Sequence, residues 1–170
     1  MGYCHVYTGN GKGKTTAALG LAIRAAGAGI RVYIAQFIKG MEYCELKALE
    51  RFRELITVEQ FGRGCFIVGK PEEEDIDLAK RGVKRIRKIL DEGGYVMVIL
   101  DEVNVAVHLG LLDVGEIIDI IEGRPDSIEI VLTGRYADPS IVEKADLVTE
   151  MVEVKHYYNK GVEARKGIEK

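Results

Sequence analysis

The sequence predicts an α/β fold, a predominantly parallel sheet with helices on both faces. Strand-like and helix-like segments alternate from end to end, as repeated βα units do. YVMVIL at 95–100 is a continuous apolar run, the mark of a strand buried on both sides. The first strand also runs directly into alternating glycines that open a helix. The 170 residues suit a single domain spanning 1–170, with no internal repeat, low-complexity stretch or linker.

Taken in order, residues 3–8 read as a strand and the Ala- and Leu-rich 15–28 as a buried helix. Glycines at 27 and 29 punctuate the way into a second strand, 31–37. Leu46, Leu49 and Phe52 suggest a short helix, followed by a short strand at 56–61. Between 71 and 91, Ile76, Ala79, Val83, Ile86 and Leu90 recur at spacings of three and four, one face of a helix. Pro71 and acidic first-turn residues mark its start, and the charge run 72–77 needs no other explanation. Gly93 and Gly94 end it before the strand at 95–100. Val114, Ile117, Ile118 and Ile121 form another helical face, 128–132 a further buried strand, 139–145 a short helix and 147–154 a last strand.

Composition excludes several classes. With 47% hydrophobic and 30% charged residues, the chain is neither disordered nor a fibre nor a coiled-coil rod. A net charge of −3 argues against a general nucleic-acid binder. Cys4, Cys44 and Cys65 are odd in number and far apart, which predicts neither a disulfide framework nor a structural zinc. The opening Met-Gly-Tyr-Cys-His carries no signal-peptide or myristoylation pattern, and no apolar run reaches the length of a membrane span. These features predict a cytoplasmic protein.

The informative segment is Thr8-Gly9-Asn10-Gly11-Lys12-Gly13-Lys14-Thr15-Thr16. Its strand–loop–helix setting is that of a phosphate-binding P-loop, with Thr8 where the usual pattern has Gly. Glycines at 9, 11 and 13 let successive N–H groups converge on an anion, and the helix adds the positive end of its dipole. Lys14 would place a point charge among phosphates and Thr15 would offer its hydroxyl to Mg²⁺. Asp101 and Glu102 end a buried strand, where a P-loop protein places its metal-holding acid. Alone, two such acids also suit a helix N-cap and its first turn. The fold expected is therefore P-loop NTPase-like, of the RecA-like kind.

The rest of the chain resembles the P-loop class of corrinoid adenosyltransferases. The resemblance rests on residues 8–16, Gln36-Phe37-Ile38-Lys39-Gly40, and Leu100-Asp101-Glu102 with Ala106, Gly110, Leu111 and Leu112. It continues through Arg124-Pro125, residues 129–135, residues 145–151, Lys155-His156 and residues 164–169. It implies that Co(I) of a reduced corrinoid attacks the 5′ carbon of ATP and expels triphosphate, with the nucleotide reversed in the loop relative to ordinary ATPases. The corrin then supplies the nucleophile, so no catalytic Ser, Cys or His is needed.

On that reading Lys14 and Glu102 are the catalytic candidates. Residues 8–16, Lys39 and Arg135 are expected to bind nucleotide, and Thr15, Asp101 and Glu102 to hold Mg²⁺ or Mn²⁺. Lys39 is also open to a corrin carboxamide contact or plain solvation, while His5, His108 and His156 read as structural or exposed. Many relatives carry Phe-Thr-Trp after the glycine-rich turn; here Cys65, Phe66, Ile67 and Val68 follow Gly64, with no Trp in the chain, so an apolar wall for the corrin is expected from these four. Longer relatives also carry an N-terminal extension over the site, a cap expected here from another segment or a partner subunit. The resemblance further implies a homodimer and a flavoprotein reductant. Two alternatives stay open: an ATPase or small kinase with Glu102 orienting water or a hydroxyl, and a nucleotide-dependent switch.

Overall fold

The structure, a computed structural model, describes residues 1–64, 67 and 69–169. Its six strands are β1 (Cys4–Thr8), β2 (Val32–Phe37), β3 (Ile56–Phe61), β4 (Met97–Asp101), β5 (Glu129–Thr133) and β6 (Leu147–Glu150). All pair in parallel, in the order β3-β2-β4-β5-β1-β6. Helices α1 (Lys14–Gly27) and α2 (Cys44–Leu49) cover one face. The other is covered by α3 (Glu73–Glu92), α4 (Val103–His108), α5 (Val114–Gly123) and α6 (Pro139–Lys144). This is the parallel α/β architecture that the sequence predicts.

Strand alternation decides what faces where. Val98 and Leu100 pack into the cluster under α3 to α6, Met97 and Ile99 into the cluster under α1. Ile99, Leu100, Ile130 and Leu132 are fully buried, each contributing about 1.5–3 kcal/mol. The same parity turns Asp101 toward α1. Apart from Lys14 at its start, the buried side chains of α1 are the small Ala18, Ala22, Ala25 and Ala26, which let the helix pack close on the sheet.

Most boundaries fall within two residues of the sequence reading, with two exceptions. Residues 103–108 fold as α4, which apolar alternation in Val-Asn-Val-Ala-Val conceals; burial of Val103, Asn104 and Ala106 against the sheet overrides their modest helix propensity. The strand expected over 147–154 ends at Glu150, because its partner β1 ends at Thr8 and gives way to the glycine-rich loop.

A clamp outside the core holds the loop after β3, which in turn packs on the loop after β2. Arg63 makes a two-pronged ion pair with Asp75, Nε to Oδ1 at 2.7 Å and Nη2 to Oδ2 at 2.8 Å. Asp75 also closes the capping box of α3 with Glu72. Next to Arg63, Gly62 packs backbone to backbone on Gly40: a Cβ on Gly40 would stand 2.2 Å from the Gly62 carbonyl oxygen.

Gly82 supplies a further test of packing. At an open helical position Gly→Ala gains about 1 kcal/mol. Here the added methyl would sit 2.8 Å from Phe37 Cε1 and 2.9 Å from Phe61 Cγ, inside the core. Gly82→Ala should therefore destabilise, by about 1–3 kcal/mol, as read by the urea midpoint at unchanged m-value.

Candidate functional site

The C-terminal ends of β1, β2, β4 and β5 bring the chemistry together, as open α/β sheets do. Gln36 pairs with Asp101 in register, and Leu100 with Leu132, which sets Thr133 beside Asp101. These three side chains share the face that α1 covers, and all are fully or almost fully buried.

Asp101 is the hub. Its Oδ1 accepts from Thr15 Oγ1 at 2.9 Å and from Thr133 Oγ1 at 2.7 Å. Its Oδ2 accepts from Lys39 Nζ at 2.7 Å and from Gln36 Nε2 at 3.3 Å. Gln36 Oε1 in turn accepts from Gln60 Nε2 at 3.1 Å, which also reaches the Met41 carbonyl. Lys39 is aimed at the hub by the residue before it: Ile38 has φ 65°. For a β-branched residue that is a strained backbone, of order 1–3 kcal/mol. Burial alone would depress the Lys39 ammonium, but the bond and charge of Asp101, with Glu102 and Glu45, hold its pKa above the usual lysine value.

The phosphate loop joins β1 to α1 with Gly9 at φ 92° and Gly13 at φ 121°. Lys14 is 7% exposed and folds back on its own loop, donating to the Gly9 carbonyl at 2.7 Å and the Gly11 carbonyl at 2.8 Å. Burial lowers its pKa, Arg135 adds to that, and Glu102 opposes it. Gly11 N–H donates to the Met151 carbonyl at 2.6 Å, so that N–H has a partner outside the loop. A Cβ on Gly9 would stand 2.4 Å from the Met151 carbonyl oxygen, so only glycine permits this approach.

The remaining loop candidates spread outward. Lys12 turns to the C-terminal segment, donating to Tyr157 Oη at 3.0 Å, the Ile168 carbonyl at 3.1 Å and Glu169 Oε1 at 2.7 Å. Tyr157 also donates to Glu169, whose carboxyl is held far below its usual pKa by Arg165, Lys12 and Tyr157. Thr8 ends β1, and its Oγ1 accepts from Ala137 N–H at 3.4 Å. Asn10 and Thr16 are exposed.

Glu102 caps α4 in a left-handed conformation, φ 62°, with its N–H donating to Thr133 Oγ1 at 3.0 Å. Burial raises its carboxyl pKa and neighbouring Asp101 raises it further, against Lys39, Lys14 and Arg135. Arg135 is exposed after β5, its charge felt by both Lys14 and Glu102. Behind it, fully buried Asn104 donates to the Gly134 carbonyl at 3.3 Å. Of the four expected corrin-wall residues, Ile67 packs half-buried against the core, while Cys65, Phe66 and Val68 lie outside the described residues.

Gln36, Thr133 and Asn104 are site residues to which the sequence reading assigns no role. Thr133 had a usable signal, a hydroxyl just beyond a buried strand run, while the Lys12–Glu169 contact had none. Among the described residues, no group of three or more His, Cys, Asp or Glu gathers as a metal cluster. Thr15 and Asp101 instead offer a hydroxyl and a buried carboxylate, oxygen donors of the kind that hold Mg²⁺ together with phosphate oxygens.

Comparison with known proteins agrees along the whole chain. The family model described as ATP:corrinoid adenosyltransferase BtuR/CobO/CobP matches residues 1–169. A corrinoid adenosyltransferase of Pseudomonas aeruginosa is 38% identical over 165 residues, covering 96% of this chain and 81% of that protein. Proteins of the same name from Sinorhizobium sp and Escherichia coli K12 are 34% and 35% identical, again across 96% of this chain and covering 78% and 83% of theirs.

The raised pKa of Glu102 has a defined consequence for stability. A carboxyl whose folded pKa exceeds its unfolded value binds more protons when folded, so stability falls as pH rises between the two. Glu102→Gln should raise the melting temperature of nucleotide-free protein at pH 7. The gain should vanish below the ordinary glutamate value of 4.5; thermal melts of both proteins from pH 4 to 8 check it.

Proposed function

The chain belongs to the ATP:corrinoid adenosyltransferase family, and from that premise we propose how its residues divide the work of the transfer. The reaction moves the 5′-deoxyadenosyl group of ATP to the Co(I) centre of a reduced corrinoid, in cobalamin biosynthesis or salvage. The cobalt electron pair forms the Co–C5′ bond, the C5′–O bond breaks, and triphosphate leaves with its electrons. The protein need supply no nucleophile: its task is to align the 5′ carbon and stabilise charge on the leaving group.

The observation that carries the assignment of roles is the meeting of Lys14, Thr15, Lys39, Asp101 and Glu102 at one end of the sheet. Lys14, released from the Gly9 and Gly11 carbonyls, places its ammonium among the phosphates. Loop N–H groups, Thr16 and Arg135 add further positive potential. Thr15 and Asp101, with Glu102 alongside, would hold Mg²⁺ or Mn²⁺, which when bound neutralises charge on the triphosphate. Cys65, Phe66, Ile67 and Val68 form the apolar corrin wall of this reading.

A flavoprotein supplies the electrons that make Co(I), and two copies of the chain form a homodimer. The edge strand β6 supports the latter, with Leu147 42% and Val148 43% exposed. A cytoplasmic location fits biosynthetic work, and among the described residues no helix is long and apolar enough to cross a membrane.

Anaerobic incubation with ATP, Mg²⁺ and a chemically reduced corrinoid tests the reading. Loss of the Co(I) visible band with one triphosphate formed per corrinoid is expected. An unchanged corrin spectrum with ADP and phosphate accumulating would replace it with phosphoryl transfer. Lys14→Ala should lower turnover by about 10²–10³-fold; undiminished turnover would remove Lys14 from its role.

A further inference from the structure

The position best suited to a divalent cation already has a cation beside it. Lys39 Nζ lies 2.7 Å from Asp101 Oδ2 and 3.4 Å from Thr15 Oγ1, the two oxygen-bearing groups that a metal would use. Asp101 is 1% exposed, and a carboxylate buried this deeply requires a compensating charge. Among the described residues, Lys39 is the cation in direct contact with it. Its delivery is built in, through the strained turn at Ile38 and the Gly40–Gly62 backbone contact behind it.

A divalent cation placed between Thr15 Oγ1 and Asp101 would stand within a few ångström of this ammonium, and the two would repel strongly. We propose that Lys39 is a resident counter-cation, which occupies the metal position at Asp101 and Thr15 and yields it only when the cation arrives together with a triphosphate. The triphosphate supplies the extra negative charge that lets both cations stay. Lys39, on a flexible four-carbon stem, then turns from Asp101 to the phosphate oxygens. Free metal is thereby kept out of the nucleotide-free protein, and metal and nucleotide bind with positive coupling. This role rests on Thr15 and Asp101 being the metal-holding pair.

Mn²⁺ binding followed by electron paramagnetic resonance, without corrinoid and without turnover, tests it. In nucleotide-free protein, Lys39→Met should bind Mn²⁺ roughly tenfold or more tightly than the wild type, once the competing ammonium is gone. The factor by which ATP tightens Mn²⁺ binding should shrink correspondingly. Adding Asp101→Asn to Lys39→Met should abolish the gain. If Lys39→Met does not fold, Lys39→Gln, which keeps a donor for Asp101 and removes the charge, makes the same measurement. A folded Lys39 variant with wild-type Mn²⁺ affinity would overturn the proposal, as would a gain that survives Asp101→Asn. Because no corrinoid is present, either failure leaves the adenosyl transfer assay to stand or fall separately.

Discussion

A single buried carboxylate organises this protein. Asp101 receives donors from the start of α1, the end of β2, the loop after it and the end of β5. A charge at that depth is tolerable only if its lone pairs are filled, and removing one partner leaves a penalty of several kcal/mol. Three separate stretches of chain are thus held in one arrangement by a requirement that none could satisfy alone. The phosphate loop is one of them, since Thr15 opens the helix that the loop feeds. Thr15, Gln36, Lys39 and Thr133 fix the site around Asp101, while Lys14 is held separately on the carbonyls of its own loop.

That division suits a reaction in which the protein contributes no bond-forming atom. Stabilising a departing triphosphate needs cations that arrive in position without large reorganisation. Lys14 and Lys39 are both parked on oxygens of the protein, the former on two carbonyls and the latter on a carboxylate. Each is drawn out of water beforehand, which on the proposed division of roles leaves only a side-chain rotation before it meets the triphosphate. Glu102, half-buried beside Asp101, lies within the electrostatic reach of both lysines.

Much of this was legible in the sequence, for identifiable reasons. Strands buried on both faces write themselves as apolar runs, so YVMVIL could be read directly, and a strand that runs into alternating glycines announces its own loop. Helix α4 was not legible, because three valines interleaved with Asn and Ala look like a strand until the sheet beneath them is known. The end of β6 was hidden for a similar reason: it depends on where its neighbour stops. Lys14, Thr15 and Asp101 were found from spacing. That Lys39 bonds Asp101, and that Gly11 bonds Met151, follows from loop paths that no local pattern encodes.

The contact between Lys12 and Glu169 spans 157 positions of sequence. Translation proceeds from the N-terminus at about 5–20 residues per second, so roughly 8–30 s separate the two residues on the ribosome. For most of that interval β1 also lacks both its sheet neighbours, β5 and β6, which are synthesised late. The phosphate loop is therefore among the first segments made and among the last to acquire its surroundings. A nascent chain carries the glycine-rich loop without the frame that shapes it, so nucleotide meets a finished site only after the distant C-terminal segment has been made and has folded back.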